Sequence, residues 1–94
     1  MNLVGKWKKT STGDCDQQYP YELEFYENPR FLAKRGPGQG FIIWDTGRYE
    51  VLDSGHVQIH IATDQRVPYE FSLTDNVLTF VDRDGCEFKY QRVE

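Results

Sequence analysis

Apolar residues return at every second position of this chain, in short runs separated by turn residues, from Leu3 to Tyr90. A period of two puts one set of side chains on one face of an extended strand, and no stretch keeps a helical period for three turns, so an all-β fold is expected. Strands are expected at about residues 3–10, 20–27, 30–35, 41–52, 55–62, 66–73, 76–82 and 85–93. Their inward positions are Leu3, Gly5 and Trp7; Tyr21, Leu23 and Phe25; Phe31 and Ala33; Tyr49 and Val51. The series continues with Val57, Ile59 and Ile61; Tyr69, Phe71 and Leu73; Leu78 and Phe80; Phe88 and Tyr90. The residues between them are polar, for example Lys6 and Lys8, Glu22 and Glu24, Gln58 and His60. Each strand then has one wet face, as an antiparallel sheet wrapped around a single core requires.

The 94 residues suffice for one small domain spanning 1–94, and no linker or internal repeat divides them. Closing the sheet into an up-and-down barrel of about eight strands removes the edges that so short a chain could hardly cover. Alternate turns of such a meander fall at opposite ends. Asn28-Pro29, Asp53-Ser54-Gly55 and Asp75-Asn76 are tight hairpin signals and share one end with both termini. The other end receives Ser11 to Tyr19, the loop Gly36-Pro37-Gly38-Gln39-Gly40, the turn at Asp64-Gln65, and Asp82-Arg83-Asp84-Gly85. Binding usually resides in long loops on a rigid scaffold, so this end is the expected mouth.

Eleven Lys and Arg against fifteen Asp and Glu give a net charge of −4, which supplies no global field toward a phosphate backbone, so nucleic acid is not an expected partner. No run approaches the length of a membrane-spanning helix, and the start of the chain lacks the apolar region of a signal peptide. A cytoplasmic location is the default expectation; an exported mature form follows if Cys15 and Cys86 are bridged. A monomer is expected.

Gly5-Lys6-Trp7 opens the first strand, and Gly85-Cys86-Glu87-Phe88-Lys89-Tyr90-Gln91-Arg92-Val93 closes the last. With Tyr21-Glu22-Leu23-Glu24-Phe25, Gly47-Arg48-Tyr49-Glu50-Val51, Tyr69-Glu70-Phe71-Ser72-Leu73 and Asn76-Val77-Leu78-Thr79-Phe80, the pattern resembles the small bacterial lipocalin-like domains of calycin type. The resemblance runs over nearly the whole chain. It implies an up-and-down barrel in which Trp7 lies against Arg92, a structural pairing. The residues agree, because the first and last strands of a closed meander are neighbours and both positions fall on the inward face; a guanidinium over an indole contributes about 0.5 to 2 kcal/mol.

Cys15 and Cys86 fall at the same end of such a barrel on adjacent elements. A disulfide and a pair of free thiols both fit the residues. His56 and His60 point outward about 13 Å apart at strand rise, too far for one metal, and read as surface histidines. Asp82, Asp84 and Gly85 lack the further ligands of a calcium loop and read as a hairpin turn. No metal and no cofactor is expected. Gly36 to Gly40 reads as a mouth loop rather than a phosphate cradle, since neither a helix nor a P-loop lysine follows. Phe41 to Trp44 faces outward if its strand runs unbroken through Gly47, and Trp44 turns inward if a bulge intervenes there.

No nucleophile elbow or Cys-His motif is present, so an enzyme is not expected. The expected function is a binding module holding a small apolar or aromatic ligand at the barrel mouth, with Tyr19, Arg35, Gln39, Trp44, Arg66 and Arg83 around the opening. The alternatives are a module that engages a protein partner, such as a small β-barrel protease inhibitor, and a structural domain without a site.

Overall fold

A computed structural model describes residues 3–11, 13 and 15–93. Eight strands follow one another in chain order: β1 (Gly5–Lys9), β2 (Glu22–Phe25), β3 (Arg30–Lys34), β4 (Trp44–Asp53), β5 (His56–Ile61), β6 (Arg66–Thr74), β7 (Val77–Val81) and β8 (Glu87–Arg92). Each pairs antiparallel with the next, and β1 pairs with β8, so the sheet closes into a barrel. The fold is the all-β meander that the alternation predicts, and its architecture is compatible with a lipocalin-like domain. The turn chemistry also holds locally: Asp75 and Asn76 both adopt positive φ, 53° and 66°, as the two central residues of a type I′ hairpin turn must.

The seam carries the pairing that closes the barrel. Trp7 stands opposite Arg92 in register, and the guanidinium lies 4.3 Å from the indole centre. Arg92 also donates to the Val4 carbonyl at 2.8 Å, while Trp7 Nε1 donates to the Leu3 carbonyl at 2.9 Å. Both polar groups of the seam are thus satisfied, the indole buried and the guanidinium half-buried over it, and the stack adds to those hydrogen bonds.

Aromatic rings fill the interior. Trp7, Phe25, Phe31, Trp44, Tyr19, Phe80, Phe88 and Tyr90 are all buried, and Trp44 makes edge contacts with Tyr19, Phe31, Tyr69, Phe80 and Phe88. An eight-stranded barrel has room for little more than its own side chains, and here rings take that room.

The structure corrects two strand expectations. The fourth strand starts at Trp44 rather than residue 41, because the segment before it leaves the sheet: Phe41 is 70% exposed, and Ile43 N donates to the Gln18 carbonyl. A register shift between Trp44 and Tyr49 then turns both inward, although their sequence separation is odd. Val51, expected inside, is 49% exposed. The reason is strand length: β3 pairs with β4 only at Arg30 with Arg48 and Phe31 with Gly47, so the end of β4 runs past the barrel wall and Val51 has no interior to face.

Candidate functional site

At the loop-bearing end, the segment after β1 folds back over the opening. Lys9 is the last residue of β1 and shares the inward parity of Gly5 and Trp7, so its side chain is directed to the barrel rim rather than to open solvent. There its ammonium donates to the carbonyls of Asp16 at 2.6 Å and Tyr19 at 3.2 Å, with the Asp16 carboxylate 3.9 Å away. Asp16 is 1% exposed, and its other oxygen accepts from the Ser11 hydroxyl. Burial lowers the Lys9 pKa, and the Asp16 charge opposes that shift. The pair is costly to bury but well supplied with hydrogen bonds, so losing either member would strand the other.

Two further ties hold the same segment. Cys15 and Cys86 are joined, with Cα atoms 5.9 Å apart, across a sequence separation of 71. Gln39 spends its whole amide on the mouth: Nε2 donates to the carbonyls of Gln17 and Tyr19, and Oε1 accepts from Gly36 N at 2.9 Å. Between Ser11, Gly13, Asp16 and Gln17 on one side and the Gly36–Gly40 loop on the other lies a cleft of about 490 Å³, lined also by Lys9 and Tyr21. Thr12 and Asp14 of this segment lie outside the described residues. Gly36 is required here: a Cβ at that position would come 2.8 Å from Tyr21 Cγ, so glycine lets the loop lie against the tyrosine ring.

Tyr19 enters the barrel from this segment as a plug. Its ring stacks on Phe88 with centroids 3.8 Å apart, and its hydroxyl donates to Asp82 Oδ2 at 2.6 Å. The other Asp82 oxygen accepts from Asp84 N and Cys86 N, so one carboxylate organises the β7–β8 turn and receives the plug. Burial, then the Asp82 carboxylate, push the Tyr19 phenol well above its ordinary pKa. Burial likewise raises Tyr69, and contacts from Trp44 and Tyr19 pull it partly back. Trp44 Nε1 has no partner at hydrogen-bond geometry among the described residues.

The six residues expected around the opening therefore separate. Tyr19 and Trp44 are 2% and 1% exposed and belong to the core, a correction with a plain cause: one is a plug and the other is turned inward by the β4 bulge. Gln39 lines the cleft, with its amide already engaged. Arg35 and Arg83 are exposed on loops at the same end, outside the cleft lining. Arg66 stands on the outer wall at the start of β6 and lines a different groove. Lys9 and Asp16 shape the cleft and escaped the sequence reading, and Tyr21, expected inside the barrel, is half-buried in the cleft lining instead; the signal for Lys9 was a lysine in the inward register of β1.

Among the described residues no cluster of three or more His, Cys, Asp or Glu could hold a metal ion, and no helix is long and apolar enough to cross a membrane. No protein-family profile, curated protein or solved structure matches the chain.

Proposed function

We propose that this protein is a non-catalytic binding module that works from the loop-bearing end of its barrel, where the cleft beside the Gly36–Gly40 loop receives a small aromatic group. The packed interior is the observation that carries the reading. With rings occupying the barrel and Tyr19 closing it, a ligand is held at the rim rather than inside. Tyr21 offers a ring for stacking and the glycine loop lets a ligand approach backbone donors closely. The disulfide, Lys9 and Gln39 fix the walls before binding, which lowers the ordering cost of the complex. The protein acts as a monomer in an oxidising compartment, the setting in which a bridged Cys15–Cys86 pair persists.

Titration of amide NMR spectra with a library of small aromatic compounds tests this. Shifts confined to residues 9–21 and 36–40, and lost in Tyr21→Ala, are expected; a library that moves no amide of the cleft would sink the ligand reading. A protein partner is the second reading, favoured by Phe41, whose ring is 70% exposed directly after the glycine loop. It predicts a captured partner whose binding is lost in Phe41→Ser.

A further inference from the structure

The outer wall across β3 to β6 carries a row of basic side chains that register, rather than sequence proximity, assembles. Arg30 stands directly opposite Arg48, and His60 directly opposite Arg66. His60 lies over Gly47: a Cβ there would come 2.6 Å from its Nδ1. Arg48, His60 and Arg66 line one groove, so the two pairs make one row, Arg30, Arg48, His60 and Arg66, over four adjacent strands. Strands in a sheet lie about 4.8 Å apart, so the line is roughly 14 Å long.

Like charges directly opposite one another in a sheet are destabilising, and this chain has acidic residues in excess with which to neutralise them. It does not do so. No ion pair or hydrogen bond to a described residue engages the side chains of Arg30, Arg48 or Arg66. His60 is the exception, with Nε2 on Asp64 Oδ1 at 2.9 Å. The row opens onto a groove of about 450 Å³, the size of a small-molecule site. Arg48, His60 and Arg66 form its basic flank, and Pro29 and Val51 supply an apolar one, with Glu50 the carboxylate in its lining. Val51 is exposed because β4 overruns β3, so the irregularity that took it out of the core also builds this flank.

We infer that this groove binds a small organic anion, a phosphate or sulfate monoester whose charged group lies between Arg48 and Arg66 and whose apolar body rests on Pro29 and Val51. Arg guanidinium groups match such oxyanions in planar, bidentate geometry. A small ligand fits better than a polymer: the positive strip is short, and a polyanion leaving it would run over a surface whose net charge is negative. The site is on the barrel wall, apart from the mouth cleft, and stands whether or not the cleft binds anything.

Phenyl phosphate titrated into the disulfide-bonded chain at low salt, followed by amide NMR, is the test. Shifts are expected at Arg48 to Val51 and Gln58 to His60, with affinity falling about tenfold in Arg48→Ala and in Arg66→Ala, the weight of one charge-assisted contact. Arg48→Lys should restore part of it. Phenol should leave these amides unmoved, and inorganic phosphate should bind more weakly than phenyl phosphate. Phenyl sulfate run in parallel distinguishes the two oxyanions. Folding does not confound the result, since Arg48→Ala removes a like-charge contact and its unfolding midpoint should equal or exceed that of the parent. Shifts that appear only at residues 36–40, affinities unchanged by both arginine substitutions, or equal binding of inorganic phosphate would each overturn the assignment.

Discussion

On the β1–β3 side of the barrel Lys6 faces Glu24, Lys8 faces Glu22 and Glu22 faces Lys34, whereas on the β3–β6 side Arg30 faces Arg48 and His60 faces Arg66. Both walls belong to one antiparallel sheet and obey the same alternation, yet one sets opposite charges face to face across its strands and the other sets Arg30 against Arg48. The first side also carries the closing features: the Trp7–Arg92 stack, the Lys9 latch and the covalent link from Cys15 to Cys86. The second has the overlong β4, its register shift and a histidine seated on a glycine. The difference teaches where stability and presentation have been separated in a small fold. One wall holds the barrel shut, and the other leaves charge and apolar surface unsatisfied by the protein itself.

The most severe way to break the comparison is to remove the covalent tie of the holding side. Replacing Cys15 and Cys86 by serine should cost about 4 kcal/mol if loop entropy dominates, read as a lower urea midpoint than that of the oxidised parent. Reductant should produce the same loss in the parent and none in the double variant.

Alkaline pH separates the walls through two tyrosines. Tyr90, fully buried on β8 with its hydroxyl on the Pro20 carbonyl, has its phenol pKa raised well above 10.0 by burial and by the Asp16 charge. A folded-state value above the unfolded one means that its contribution is complete below pH 10 and is lost as pH climbs toward the folded value. The slope is about 1.4 kcal/mol per pH unit for this group. Tyr90→Phe should flatten that limb of a stability–pH curve. Tyr49 on β4, raised by burial and by Glu27 but less enclosed, should change it less when replaced. Equal slopes in the two variants would remove this part of the contrast.

Gly47→Val probes the presenting side. A branched side chain meets His60 Nδ1, so the histidine must leave or the strand must move, at about 1 to 3 kcal/mol. Thermal unfolding would give the cost, and His60 ring resonances would show which of the two yielded. Arg92→Ala, back at the seam, should lose about 0.5 to 2 kcal/mol from the indole stack.

The smallest effects carry the sharpest sign. Lys8→Glu puts a carboxylate against Glu22 and should destabilise by a few tenths of a kcal/mol, whereas Arg48→Glu relieves the Arg30 contact and should stabilise by a similar amount. If both reversals lower the unfolding midpoint, the electrostatic division between the walls is wrong.

Much of the architecture was legible because its signals are local. Alternation in Val57-Gln58-Ile59-His60-Ile61 reports a one-sided strand whatever lies next to it, and Asp75-Asn76 specifies its turn through backbone conformations that few other residues tolerate. The Trp7 and Arg92 pairing followed once closure was assumed, since closure alone makes the first and last strands neighbours. The site was less legible. Tyr19 and Trp44 read as mouth residues because they flank loops, and only the insertion of one segment and the slip of one strand show them inside. Asp16 carries no local mark of burial, since what draws it in is a lysine seven residues earlier whose direction depends on the barrel rim.

By itself the sequence determined that this chain forms strands, which face of most of them is apolar and where the tight hairpins turn. These follow from steric preferences and from solvation of single residues or near neighbours, quantities that do not depend on distant partners. The tertiary structure alone decided the register shift in β4, the plugging of the mouth by Tyr19, the burial of Lys9 with Asp16 and the assembly of four basic residues from four strands. Each of these depends on which residues of separate segments come to lie side by side. A displacement of one position between strands reverses that choice while leaving the alternation of every strand unchanged.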